Sequence, residues 1–114
     1  MSPEALERAA LSLPAAILSV QWGDERVYKV GGKIFAVSDA DGSRVSLKVS
    51  EIAYEVLIES GRARPAPYLA RAKWVCFDDV AELDDDELAD WLKTAHALVA
   101  AKLTRAARRA LGLG

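Results

Sequence analysis

Two adjacent glycines, Gly31 and Gly32, stand between the runs ERVYKV and KIFAVS. Both runs are rich in β-branched and aromatic residues. A two-residue connection between such runs closes as a type I′ turn, which needs positive φ at both central positions. The pair therefore predicts a hairpin of Glu25–Val30 against Lys33–Ser38, and a hairpin commits the chain to an antiparallel sheet. With the register counted from the turn, Val30 faces Lys33, Lys29 faces Ile34, Tyr28 faces Phe35 and Val27 faces Ala36. Tyr28, Val30, Phe35 and Val37 then form the core side, and Lys29, Ile34, Val27 and Ala36 the other.

The flanking segments extend this sheet. Ile17 to Trp22 reads as a strand leading into a Gly23-Asp24 turn. Asp39 to Gly42 is a second turn, and Ser43 to Val49 a fourth strand with Val45, Leu47 and Val49 inward and Arg44, Ser46 and Lys48 outward. Trp74 to Asp78 is the last strand. Ser2, Pro3 and Glu4 give an N-cap, a first-turn proline and a first-turn acid, so a helix runs to Leu13 and is closed by Pro14. Leu6, Ala9, Ala10 and Leu13 are its inward stripe. Ser50 caps a second helix through Ser60, ended by Gly61, with Ile52, Val56 and Leu57 inward. A long helix follows from Asp84 to Ala110. The order α-β-β-β-β-α-β-α predicts an α+β fold: an α/β sandwich whose helices pack on one face of an antiparallel sheet and leave the other face open. At 114 residues the chain is one domain, residues 1–114.

Several chemistries have no signature here. Cys76 is the single cysteine, so there is no internal disulfide and no Cys-x-x-Cys zinc site. No basic leader precedes a long apolar run, and no run approaches the roughly 18 residues of a membrane span. The expectation is a soluble, cytoplasmic protein with no membrane partner. Ser and Asp are plentiful, but no Gly-x-Ser-x-Gly or similar nucleophile setting occurs. Gly31-Gly32 lacks the strand-to-helix context of a phosphate loop. The chain reads as a non-enzyme without cofactor. His96 reads as a boundary residue of the long helix. The run DDVAELDDDEL suits a helix N-terminus and lacks the calcium-loop pattern, so no metal site is expected, and an iron-handling role through residues 78–90 is the weaker reading.

Charge is segregated. The net charge is −2, yet Arg26 to Phe77 carries nine bases against five acids, Asp78 to Asp90 eight acids and no base, and Trp91 to the end five bases and no acid. Lys29, Arg44 and Lys48 fall on the open face, where lysine also guards a solvated strand against aggregation. The basic tail Lys102, Arg105, Arg108 and Arg109 suits a helix C-terminus. Between the second helix and the last strand lies RARPAPYLARAKWV, Arg62 to Val75. Pro65 and Pro67 stiffen this connector and bias Arg64 and Ala66 to extended geometry. Tyr68 and Leu69 are expected to start one short helical turn that docks on the sheet. Read as a latch, the stretch holds the sheet through its prolines, Leu69 and Val75. Read as a site, it offers Arg62, Arg64, Arg71 and Lys73 to phosphates or other anions, with Tyr68 and Trp74 for stacking.

The segments LSLP (Leu11–Pro14), Trp22-Gly23, VYKVGGKIFAV (Val27–Val37), LKV (Leu47–Val49), RPAPYLARAKWV (Arg64–Val75) and ALVAAKL (Ala97–Leu103) resemble, in order and spacing, the MmcQ/YjbR-like proteins, small bacterial domains of unassigned biochemical role. The resemblance covers nearly the whole chain. It implies a CyaY-like (frataxin-like) sandwich and DNA binding through a "double wing" arrangement, and one family member accompanies a mitomycin biosynthesis cluster. Its characteristic residues fall on Trp22, Lys29, Lys33, Lys48, Pro65, Pro67, Tyr68 and Trp74. The chain departs from the family pattern before Trp22, at His96, and at Thr104, which lets the last helix continue. The frataxin likeness is one of fold and carries no iron chemistry with it. Two functions follow as expectations. The first is a binding domain for DNA through Lys29, Lys33, Arg44, Lys48, Arg62, Arg64, Arg71 and Lys73. The second is a small-molecule or protein-interaction module, in toxic-compound response for example, using Trp22, Tyr68 and Trp74 on the open face. A monomer or weak dimer is expected.

Overall fold

The computed structural model describes residues 1–21, 23–67 and 72–113. Helix α1 (Pro3–Leu11) leads into strands β1 (Ala16–Gln21), β2 (Glu25–Val30), β3 (Lys33–Ser38) and β4 (Val45–Lys48). Helix α2 (Glu51–Glu59) is followed by the two-residue strand β5 (Arg64–Pro65) and by β6 (Trp74–Phe77). A 3-10 turn (Val80–Glu82) precedes α3 (Asp85–Ala100) and α4 (Arg105–Ala110). All pairings are antiparallel, in the order β1-β2-β3-β4-β6-β5. Helices α1, α2 and α3 lie on one side of the sheet and share its core: Leu6, Ala10, Leu57, Leu88, Leu92 and Val99 meet Tyr28, Phe35, Val45, Leu47, Val75 and Phe77. Ser2, Ser50 and Asp84 cap α1, α2 and α3 through their side chains, as the cap residues and first-turn acids dictate.

The hairpin turn is where the glycines put it, but the register is not the simple one. Val30 opposes Lys33 and Lys29 opposes Ile34; Tyr28 then opposes Ala36, Val27 opposes Val37, and a bulge absorbs Phe35. The bulge sets Phe35 and Ala36 both into the helix-side core and turns Val37 to the open face, where it packs near Ile34, Ala66, Trp74 and Cys76. An extra residue in one strand cannot be read from alternation, because each residue still suits a strand.

Three other expectations change. On α2 the buried stripe is Ala53, Tyr54, Leu57 and Ile58, whereas Ile52 and Val56 are 78% and 58% exposed. Both stripes have helical spacing, and spacing alone does not choose between them. The long final helix is broken. It ends at Ala100, and Thr104, instead of carrying the helix on, accepts a hydrogen bond from Ala107 N as the N-cap of α4. His96 is core rather than boundary: its Nε2 donates to the Pro14 carbonyl at 2.7 Å, and its ring meets Phe35 edge-on at 5.3 Å.

The break matters because the chain turns back over the hairpin tip. A Cβ on Gly31 (φ +58°) would lie 2.7 Å from Leu103 Cδ1 and 3.2 Å from Leu111 Cδ1, whereas one on Gly32 (φ +80°) would meet nothing within 4 Å. Gly31→Ala and Gly32→Ala both place alanine in left-handed backbone, at about 1–2 kcal/mol each. Gly31→Ala must also displace Leu103 and is expected to lose about 1 kcal/mol more in urea unfolding, a difference that Leu103→Ala should abolish in a double-mutant cycle.

Candidate functional site

The antiparallel topology sorts the charges by end. At the tip end lie the Gly31-Gly32 turn, the end of β4, the start of β6, the close of α3 and all of α4. Lys29, Lys33, Lys48, Lys73, Lys102, Arg105, Arg108 and Arg109 collect there. At the opposite end lie the β1–β2 and β3–β4 turns, the close of α2 and the start of α3, with most of the acids. Among the described residues, every lysine or arginine paired with a carboxylate belongs to that acidic end: Arg26 with Glu7, Arg44 with Asp39, Arg62 with Glu87 and Arg64 with Asp78. None of the eight tip-end cations has a carboxylate partner among them.

The tip-end cations are held without being neutralised. Lys48 Nζ donates to the Ala72 carbonyl at 2.6 Å. Burial, and then the like charge of Lys102, lower its pKa. Lys73 has left-handed backbone (φ 63°), and its ammonium sits 4.9 Å from the centre of the Tyr54 ring. Lys33, Lys102, Arg105 and Arg109 are exposed. An array of unpaired cations kept apart from the molecule's own acids is what a polyanion recognises by charge.

The open face carries a second feature. One row of residues crosses all six strands on this side: Ser19, Val27, Val37, Ser46, Cys76 and Arg64. Toward the acidic end a cleft of about 490 Å³ opens over Val37, Ser46 and Cys76, with Ala66 and Pro67 on one side and Glu25, Asp39, Arg44 and Arg64 around it. Arg44 Nε donates to Asp39 Oδ2 at 2.8 Å, and Arg64 Nε to both Asp78 oxygens at 2.9 and 2.7 Å. The Arg64 hydrogen bond holds the Asp78 carboxyl below its usual range. Burial raises the Cys76 thiol above its usual 9.0, so it is neutral at physiological pH.

The residues named from sequence thus divide. Lys29, Lys33, Lys48 and Lys73 join the basic end. Arg44 and Arg64 flank the cleft with their acids, and Arg62 is tied to Glu87. Trp74 was expected as a stacking surface, yet it is 6% exposed and packed with Ala66 and Cys76. Trp22, Tyr68 and Arg71 lie outside the described residues, as does the expected helical turn at Tyr68-Leu69. The tail helix, read as dipole-satisfying, turns out to supply half of the basic end; the signal was its position after a helix break. The acidic run serves the fold: Asp84 caps α3, Asp78 holds Arg64 and Glu87 holds Arg62. Among the described residues no three His, Cys, Asp or Glu side chains converge to hold a metal, and no helix is long and apolar enough to cross a membrane.

This architecture defines a small α/β sandwich, open on one sheet face and charged at its two ends. The YjbR family model matches residues 11–98, and the chain belongs to that family. It is similar to Deinococcus radiodurans protein DR2400, a DUF419 domain known from its crystal structure. The identity is 27%, the TM-score 0.86, and the match covers 99% of this chain and 89% of that one. No curated protein matches the chain.

The Cys76 assignment is open to titration. A raised acid pKa favours the folded state below the ordinary thiol value, and that contribution is lost as pH climbs through the raised folded value. Iodoacetamide alkylation of the native protein is therefore expected to show its inflection above pH 9.0, with the urea-unfolded chain reacting faster at every lower pH.

Proposed function

We propose that the protein is a non-catalytic binding domain that takes hold of a polyanion, nucleic acid foremost, with the basic end of the sandwich. One observation carries this reading: the eight cations at the hairpin-tip end have no carboxylate partner among the described residues, while the paired bases all sit at the other end. The net charge of −2 does not oppose it, because most of the acids lie at the far end, where they orient the approach of a polyanion rather than block it. The proposed surface moves from the open sheet face to the end of the sheet, with Lys33, Arg105 and Arg109 among its exposed cations. With Trp74 buried, phosphate contact is favoured over base stacking, so binding should be weakly dependent on sequence.

Fluorescence anisotropy of a labelled short duplex tests this. About four phosphate contacts imply a loss of affinity of roughly a hundred-fold between 50 and 200 mM salt. Lys33→Glu/Arg105→Glu/Arg109→Glu is expected to weaken binding by at least about ten-fold at the lower salt, and Arg44→Gln/Arg62→Gln/Arg64→Gln to leave it within about two-fold. Equal losses in both variants, or no binding at tens of micromolar protein, would contradict the proposal.

A further inference from the structure

The cleft over Cys76 holds recognition groups that neither the fold nor the basic end uses. Arg44 and Arg64 each commit only Nε to an acid. The terminal nitrogens of both guanidiniums have no partner among the described residues. Each is thus a fork whose stem is fixed by a carboxylate and whose prongs are unused, the arrangement that receives a carboxylate in two parallel hydrogen bonds. The Asp39 and Asp78 pairs preorganise these forks, which lowers the cost of binding. Glu25, on the same side of the sheet, has no ion-pair partner among the described residues. Its carboxylate asks for a cation or a hydrogen-bond donor. Between them Val37, Ala66 and Pro67 offer apolar surface, and Ser46 a hydroxyl.

The charges decide the class of ligand. Two arginines against Asp39, Asp78 and Glu25 leave the site at about −1, so a simple anion would gain from the forks and lose to the acids. A simple cation would leave the forks unused. A molecule carrying both charges satisfies both sides without adding net charge. We propose that this cleft is a binding site for a small zwitterion of the α-amino-acid type, its carboxylate on Arg44 and Arg64, its ammonium on Glu25 and its apolar side chain on Val37, Ala66 and Pro67. The volume of about 490 Å³ suits one such molecule. The site stands apart from the basic end and does not depend on the polyanion reading.

Titration of the ¹⁵N-labelled full chain with L-phenylalanine and L-leucine, up to about tens of millimolar to reach weak affinities, tests this by amide shifts. Saturable shifts are expected at Val37, Ser46 and Cys76. Phenylalanine amide, which lacks the carboxylate, and N-acetyl-phenylalanine, which lacks the ammonium, should each bind at least about ten-fold more weakly. Arg44→Gln/Arg64→Gln should erase the preference over the amide, and Glu25→Gln the preference over the N-acetyl compound. These substitutions touch exposed or half-buried groups, and the comparison of the three ligands on the wild-type chain stands without them. Lys33→Glu/Arg105→Glu/Arg109→Glu should leave the titration unchanged, which separates this site from the polyanion surface. Absence of saturable shifts at the three amides for both amino acids, or equal affinity for the derivatives, overturns the proposal.

Discussion

Two glycines in left-handed backbone let β2 turn directly into β3, and the rest of the basic end depends on that turn. Gly31 leaves no side chain between the turn and Leu103, so the loop after α3 can close onto the hairpin tip with Leu111 beside it. The close approach brings α4 over the sheet end. Without it, Lys102, Arg105, Arg108 and Arg109 would extend away on a continued helix, separated from Lys29, Lys33 and Lys48. Beneath the turn, the Phe35 bulge seats an aromatic ring against His96, and His96 in turn holds the Pro14 carbonyl. One hairpin thereby positions α1, α3 and α4.

The electrostatics follow from topology more than from local pairing. In an antiparallel sheet, alternate turns fall at opposite ends, and this sequence puts most of its acids at one end and most of its unpaired bases at the other. The four arginines at the acidic end join exposed or half-exposed ion pairs. Such pairs add little to stability. Their larger effect is on geometry, since they fix Arg44 and Arg64 beside the cleft and remove Arg62 from any anion surface. The two candidate sites therefore use different cations and sit at different places on the sheet.

Much of the sheet was legible. The hairpin, the inward positions Val45, Leu47 and Val49, and the caps at Ser2 and Ser50 each rest on a local rule, and the structure obeys them. What was not legible depends on distant contacts. The bulge at Phe35 is settled by the fit of the ring under α3. The face of α2 is settled by the groove that receives Tyr54 and Leu57, which leaves Ile52 and Val56 outside despite their helical spacing. Thr104 suits a helix interior poorly and an N-cap well, so the break had a signal that the apolar pattern of ALVAAKL masked. The basic residues were all visible, but their sorting was not. A lysine's neighbours across a sheet end are set by strand order, and β5 inserts Arg64 beside Cys76 only because α2 delivers the chain to that edge.

The central claim is that anions meet this molecule at the hairpin-tip end. Amide shift mapping of the full chain with a short unlabelled duplex at low salt locates the contact directly. The account expects the largest shifts at Gly31 to Lys33, Lys48 and Lys102 to Arg109, with the acidic end unmoved. Shifts centred on the open-face row of Val27, Val37, Ser46 and Cys76, or none at all, would contradict it.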